Sequence, residues 1–164
     1  MKSGLIFITG LSGSGKSTLA RALIQRISEV YNTRAIFLDG DILRECVDNT
    51  DYSKDGRANM SRYYVRTAKM LVDQGFIVVL ATISMFESIR KFNRENFTNY
   101  LEVYLDVSTD ILRSRDSKGY YKNSVDNMAV MQDLEVPTQS DLIFYDNFDS
   151  KKAIDEILKK IQLF

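Results

Sequence analysis

The 164 residues carry 22 Lys and Arg against 22 Asp and Glu, so net charge gives no pull toward nucleic acid or an acidic membrane, and any anion site must be a local cluster. There is no histidine, which excludes imidazole general bases, Ser-His-Asp triads and histidine-bearing metal sites and leaves carboxylates, Lys, Arg and backbone donors to carry any chemistry. With 45% hydrophobic residues, one proline and no repetitive tract, residues 1–164 read as a single compact domain without a linker or disordered arm.

Leu5 to Thr9 is an apolar run and reads as the first strand. Gly10-Leu11-Ser12-Gly13-Ser14-Gly15-Lys16-Ser17-Thr18 follows it directly and matches the pattern GxxxxGKS/T in strand, loop, helix order. In that order the pattern is a phosphate-binding loop, and it predicts a nucleoside triphosphate with Mg²⁺. The glycines let the backbone turn and expose several N–H groups to one anionic centre, toward which the next helix aims its positive end. Lys16 supplies a mobile charge for the β and γ phosphates, and the Ser17 hydroxyl is the expected Mg²⁺ ligand. Phosphoryl transfer relies on positioning, Mg²⁺ and cationic groups, so a chain without histidine is sufficiently equipped.

Along the first helix, Leu19, Leu23, Ile27 and Val30 fall on one stripe. Ala35 to Leu38 reads as the second strand, ending in Asp39-Gly40-Asp41-Ile42-Leu43-Arg44. Two carboxylates at a strand end can divide the work, one holding Mg²⁺ and the other accepting the proton of an attacking hydroxyl. The competing reading of Asp41 is a helix cap in a turn. Arg44, one turn on, either faces an anionic acceptor or is a solvated surface residue. Cys46 has no partner for an internal disulfide and reads as a small, partly buried apolar residue.

A helix from about Ala58 to Gln74 places Asn59, Arg62, Tyr63 and Arg66 on one face, suited to a phosphate and a base. Tyr63 and Tyr64 read equally well as core or boundary aromatics. Phe76 to Ala81 and Leu101 to Asp106 are the third and fourth strands, and Leu142 to Tyr145 the fifth. All five runs look buried on both faces. Between the last two strands, Arg113, Arg115, Lys118 and Lys122 make a cationic run interrupted by Gly119. It reads either as a lid over about residues 113–135 that closes on ATP, with Arg113 and Arg115 on the nucleotide, or as a solvated basic loop. Ile154, Ile157, Leu158 and Ile161 form the stripe of a last helix capped by Asp149 or Ser150. This alternation predicts an α/β three-layer sandwich, a mostly parallel five-stranded sheet with helices on both faces and ligands at the carboxyl ends of the strands. No apolar stretch is long enough for a signal peptide or membrane span, so a cytoplasmic protein is expected.

Gly10 to Thr18, Phe37-Leu38-Asp39-Gly40-Asp41 with Arg44, the Tyr52-Ser53 to Asn59 stretch, Ile83-Ser84 and Arg115-Asp116-Ser117-Lys118-Gly119-Tyr120-Tyr121-Lys122 occur in the order and spacing of the adenylylsulfate kinases. The chain resembles that family along nearly its whole length. Those P-loop kinases move the γ-phosphate of ATP to the ribose 3′-hydroxyl of adenosine 5′-phosphosulfate. The resemblance implies that Asp41 is the Mg²⁺-linked catalytic carboxylate, with Ser17 and Asp39 also at the metal. It implies that Lys16 and the lid residue Lys118 serve the transfer. Arg44, Asn59, Ile83, Ser84 and Lys118 would then meet the acceptor nucleotide, joined by Arg62 from the shared helix face and by the adjacent cation Arg57.

Departures from the family pattern concentrate on the acceptor side. Where the family reads Asp-Arg, this chain has Asp55-Gly56, with Arg57 adjacent; the usual Asn after the DGD block is Ile42; Pro-Tyr after the Ile-Ser pair is Met85-Phe86. The Phe-Thr-Gly-Ile segment, whose Phe stacks on the acceptor adenine, has no match in Asp126-Asn127-Met128-Ala129-Val130. Stacking on a base is worth about 1 to 3 kcal/mol, and a paired anion contact a similar amount. The sequence therefore predicts an intact donor half and a rebuilt acceptor pocket, resembling the cytidine diphosphoramidate kinase branch of capsule phosphoramidate synthesis. True adenylylsulfate kinase activity in sulfate assimilation is the alternative, and a catalytically silent nucleotide-binding regulator is the alternative outside enzymes. A switch GTPase is excluded by the lack of an Asn-Lys-x-Asp motif. The expected partner is a small-molecule nucleotide acceptor, with neither nucleic acid nor membrane, and a homodimer is the candidate assembly.

Overall fold

The computed structural model describes residues 2–115 and 133–162. Five strands, β1 (Gly4–Gly10), β2 (Ala35–Asp39), β3 (Ile77–Ala81), β4 (Tyr100–Asp106) and β5 (Leu142–Tyr145), form one sheet in the order β2-β3-β1-β4-β5. Every pairing is parallel, with Leu5 opposite Val78 on one side and Tyr100 on the other. An all-parallel sheet needs crossover helices, and these cover both faces. They are α1 (Lys16–Tyr31), α2 (Gly40–Cys46), α3 (Lys54–Asp73), α4 (Glu87–Asn96), α5 (Thr109–Ser114) and α6 (Ser150–Ile161).

Alternation along β1 divides the core. Ile6 and Ile8 pack with Leu19, Leu23 and Ile27 of α1 and Ile157 and Ile161 of α6. Leu5 and Phe7 face the other way, into Tyr64, Val65 and Ala68 of α3 and Ile89 of α4. Each fully buried Leu, Ile or Phe contributes about 1.5–3 kcal/mol, so the central strand, buried throughout, anchors both layers. The expected α/β three-layer sandwich is the observed fold. No helix among the described residues is long and apolar enough to cross a membrane.

Local capping sets the helix starts. The Asp149 side chain accepts from the backbone N–H of Lys151 at 2.8 Å and Lys152 at 3.3 Å, so Asp149 and not Ser150 caps α6. Those bonds to the charged form, first from Lys152 and then from Lys151, hold its carboxyl below the usual range. Ser53 Oγ accepts from Gly56 N–H at 3.1 Å, which starts α3 at Lys54, earlier than the expected Ala58.

Four sequence expectations need correction. Val30 is 45% exposed, because in the last turn of α1 it is Tyr31 that packs inward, its hydroxyl reaching the Leu158 carbonyl at 3.4 Å. β2 and β5 are only partly buried, as edge strands with one neighbour each. Cys46 is exposed, since it ends the short outer helix α2. Phe76 lies outside β3, with 41% of its surface open.

Candidate active site

The loop after β1 is shaped by contact with β4 and by the turn into α1. Gly10 lies so close to β4 that a Cβ there would sit 2.7 Å from the Leu105 carbonyl oxygen and 2.9 Å from Ser14 Oγ. Gly15 caps α1 at φ +97°, a conformation that side-chain-bearing residues rarely adopt. Ser14 is buried, and its Oγ has no hydrogen-bond partner. Buried hydroxyls normally have one, so this orphan donor at a helix N-terminus suits an anion. Lys16 Nζ donates to the Leu11 carbonyl at 2.7 Å, folding the cation across the loop. Ser12 is half-buried in the loop, Gly13 is exposed, and Thr18 is exposed on the first turn of α1. These residues fit a triphosphate.

The end of β2 meets this loop. Ser17 Oγ donates to Asp39 Oδ2 at 2.7 Å, while Asp39 Oδ1 accepts from the Asp41 backbone N–H at 3.0 Å. One carboxylate thus holds the phosphate-loop hydroxyl and caps α2. The capping role falls on Asp39, and Asp41 is exposed in the first turn of that helix. No group of three or more His, Cys, Asp or Glu side chains among the described residues could hold a metal. A hydroxyl with one or two carboxylates, completed by substrate phosphates and water, is the donor set typical of Mg²⁺ and fits it.

Arg44 of α2 is buried and committed to the loop that follows. Its Nη1 donates to Asn49 Oδ1 at 2.6 Å and to the Asp51 carbonyl at 2.8 Å, and its guanidinium lies 4.4 Å from the Tyr52 ring centroid. Arg57 of α3 holds the next carbonyl, Tyr52, at 2.6 Å, and its Nη2 pairs with Asp133 at 2.8 Å. Two arginines assigned to the acceptor are therefore engaged with the wall of its proposed site. Arg62 Nη2 donates to Asn59 Oδ1, and both residues are exposed on α3 together with Tyr63 and Arg66. The tyrosine pair splits: Tyr64 is core and Tyr63 is surface. Burial pushes the Tyr64 hydroxyl up, partly offset by Arg44 beside it.

At the exit of β3, Thr9 Oγ1 donates to the Ile83 carbonyl and Thr82 N–H to the Ile8 carbonyl, stitching this turn to the phosphate-loop strand. Ile83 is half-buried. Ser84 adopts φ +28° and is buried, its Oγ 2.8 Å from Ser61 Oγ and 3.0 Å from Thr82 Oγ1. Arg113 is exposed on α5; Arg115 ends that helix and reaches Asn147 Oδ1 at 3.2 Å, beside the β5 exit. Nearby, the Ser108 backbone N–H donates to Asp146 at 2.6 Å and holds its carboxyl below the usual range. Lys118, Gly119 and Lys122 lie outside the described residues.

Sequence reasoning missed several contributors. Tyr52 is 60% exposed with Arg44 on its ring, an aromatic face beside the proposed acceptor side. Asp133 ties the segment after residue 132 to α3, through Arg57 and, at 3.6 Å, Lys54. Glu135 is held by the Met85 carbonyl, by the backbone N–H of Glu87 and, through its own carbonyl, by buried Arg90 at 2.7 Å. An exposed aromatic between two turn residues was the available signal for Tyr52; the partners of Asp133 and Arg90 are distant in sequence and left none.

The sequence profile described as adenylylsulphate kinase matches residues 2–144. The cytidine diphosphoramidate kinase of Campylobacter jejuni is 36% identical over 97% of this chain and 96% of that protein. The adenylyl-sulfate kinase of Clostridium kluyveri is 34% identical over 94% of this chain and 81% of that one. Among solved structures, the Mycobacterium tuberculosis APS kinase in complex with AMPPNP and APS superimposes with a TM-score of 0.86 at 25% identity, covering 98% of each chain. The chain belongs to the adenylylsulphate kinase family and is a phosphotransferase of that family.

Proposed function

We propose that this chain transfers the γ-phosphate of ATP to the ribose 3′-hydroxyl of a small activated nucleotide, and that the nucleotide is cytidine diphosphoramidate. The observation that carries the choice of acceptor is the likeness to the Campylobacter jejuni enzyme across nearly all of both chains. The bond from Ser17 to Asp39 and the orphaned Ser14 hydroxyl support an intact donor half.

In this reading the phosphate loop and Lys16 grip the triphosphate, and Arg113 and Arg115 also bind ATP. Ser17, Asp39 and Asp41 hold Mg²⁺, which when bound neutralises charge building on the transferring phosphoryl group. Asp41, exposed at the start of α2, takes the proton of the attacking hydroxyl or helps hold the metal. Asn59, Arg62, Ile83 and Ser84 line the acceptor side, and Arg44 and Arg57 shape its wall. Lys118 joins from the lid. Because the reaction consumes ATP, the cytoplasm is the proposed compartment, with capsule phosphoramidate synthesis as the role; a homodimer is the proposed assembly.

Adenylylsulfate is the second candidate acceptor, favoured by the family profile and the Clostridium kluyveri relative. The test offers purified protein each acceptor with ATP and Mg²⁺, follows ADP release, and places the new phosphate by phosphorus NMR. Efficient turnover of cytidine diphosphoramidate with adenylylsulfate ignored is the expected result. The reverse preference overturns the choice of acceptor, and no ADP release with any nucleotide acceptor overturns the kinase reading.

A further inference from the structure

Gly56 occupies the first turn of α3, buried beneath the loop that joins α2 to α3. A Cβ built on it would lie 2.5 Å from the Asp51 carbonyl oxygen and 2.5 Å from Asp51 Oδ2. Real Cβ atoms essentially never come that near a non-bonded heavy atom of another residue. Because one of the two obstacles is backbone, shortening the Asp51 side chain would not clear the space.

What closes against this bare α-carbon is the loop Asn49 to Ser53, and its internal bonds form a chain. Asn49 Oδ1 accepts from the Asp51 backbone N–H at 3.1 Å as well as from Arg44. Asp51 Oδ1 accepts from the Ser53 N–H at 2.9 Å, and Ser53 Oγ returns to Gly56 N–H. Arg44 and Arg57 hold the successive carbonyls of Asp51 and Tyr52. The bonds from Ser53 hold the Asp51 carboxyl below the usual range.

We infer that Gly56 is a positioning residue for the acceptor: its missing side chain lets the Asn49–Ser53 loop seat on α3, and that seating sets the Arg44 guanidinium and the Tyr52 ring. This rests on the reading that the acceptor docks against α2 and α3, and adds a residue that touches no substrate. It also means that Gly56→Arg would displace the loop rather than simply add a cation. Any side chain at position 56 meets the Asp51 backbone before its charge can reach a ligand.

Steady-state kinetics of Gly56→Ala and Asn49→Ala test this, the first forcing the loop off α3 and the second cutting its bonds from the far end. Each is expected to raise the acceptor KM at least tenfold while the ATP KM stays within twofold and kcat at saturating acceptor within threefold. A merely structural lesion would lower the active fraction, and so kcat, at unchanged KM. Because both act on one loop, the double variant should raise KM by less than the product of the two single effects. Gly56→Ala should remain impaired in an Asp51→Ala background. The acceptor used is whichever of cytidine diphosphoramidate and adenylylsulfate the wild-type protein turns over, so a wrong acceptor assignment is seen separately from a wrong role for Gly56. An unchanged acceptor KM in Asn49→Ala overturns the inference even where Gly56→Ala fails to fold. So does a parallel rise of the ATP and acceptor KM in either variant.

Discussion

Asp39→Ala removes one carboxylate that does two jobs, accepting from Ser17 Oγ at 2.7 Å and from the Asp41 N–H at 3.0 Å. Losing an Asp N-cap costs about 1 kcal/mol, and losing a hydrogen bond to a charged group costs about 1.5–3 kcal/mol. The two bonds share one group, so about 2–4 kcal/mol is the ceiling. In a domain of this size each kcal/mol moves Tm by about 2–4 °C, which places the drop at about 4–16 °C. Asn caps as well as Asp does, and its amide nitrogen can donate to Ser17 Oγ where Oδ2 accepted; with both bonds replaced and only the charge lost, Asp39→Asn should lose less than half as much. Scanning calorimetry without nucleotide reads the first effect. The second is read with MgATP at about a hundred times the wild-type Kd, where binding stabilises the wild type by about 2.7 kcal/mol. A tenfold loss of affinity cuts that gain to about 1.4 kcal/mol, halving the ligand-induced rise in Tm. The reasoning is refuted if Asp39→Ala melts within 1 °C of wild type, or if its MgATP-induced rise is undiminished.

Asp41→Asn should slow transfer by about 10² or more with ATP affinity within twofold, as measured by ADP release and calorimetric titration, if Asp41 acts as the base; equal loss of affinity would assign it to the metal alone. Arg94→Ala leaves the fully buried Glu102 carboxylate, now 2.9 Å from Arg94 Nη2, without its cation. Arg94 is exposed and Tyr100 and Ser140 still donate to Glu102, so melting should show a cost of about 1.5–3 kcal/mol that Glu102→Gln in the same chain largely relieves; no relief would mean that the charge is not the cause. Asp51, Asp146 and Asp149 all titrate below the ordinary 3.8 in the folded state. The unfolded chain therefore binds protons first as pH falls, and the stability these groups supply is complete above about pH 5 and lost on descent through their folded values. Tm measured from pH 6 to 3 should fall less steeply for Asp149→Ala than for wild type, and parallel curves would contradict the assignment.

The five strands were legible because each is a short apolar run bounded by turn residues, and the phosphate loop because its spacing and its place after β1 agree. Helix α2 was not assigned from the sequence because its seven residues are too few to show a period, and its start depends on the Asp39 side chain rather than on propensity. On the donor side Ser17 and Asp39, 22 positions apart and both picked out from the sequence, lie within hydrogen-bond distance of each other. On the acceptor side Arg44 and Arg57 were recognised as cations, but sequence spacing cannot show that their donors are already taken by the Asp51 and Tyr52 carbonyls. The Arg57 partner Asp133 lies 76 residues away, and no local pattern announces it. Gly56 was visible only as a missing arginine; that its α-carbon is a seat for a neighbouring loop is a packing fact.

The sheet order gives these two halves unequal footing. β1, which launches the phosphate loop, has a strand on either side and helices above and below, whereas β2, which leads toward the acceptor wall, is a border strand followed by a seven-residue helix and a loop. In the proposed reading the triphosphate is therefore gripped from the centre of the sheet, whereas Asp39, Asp41 and the Arg44 side of the acceptor wall stand at its border. Remodelling that border can re-aim the acceptor side while the grip on the triphosphate keeps its geometry.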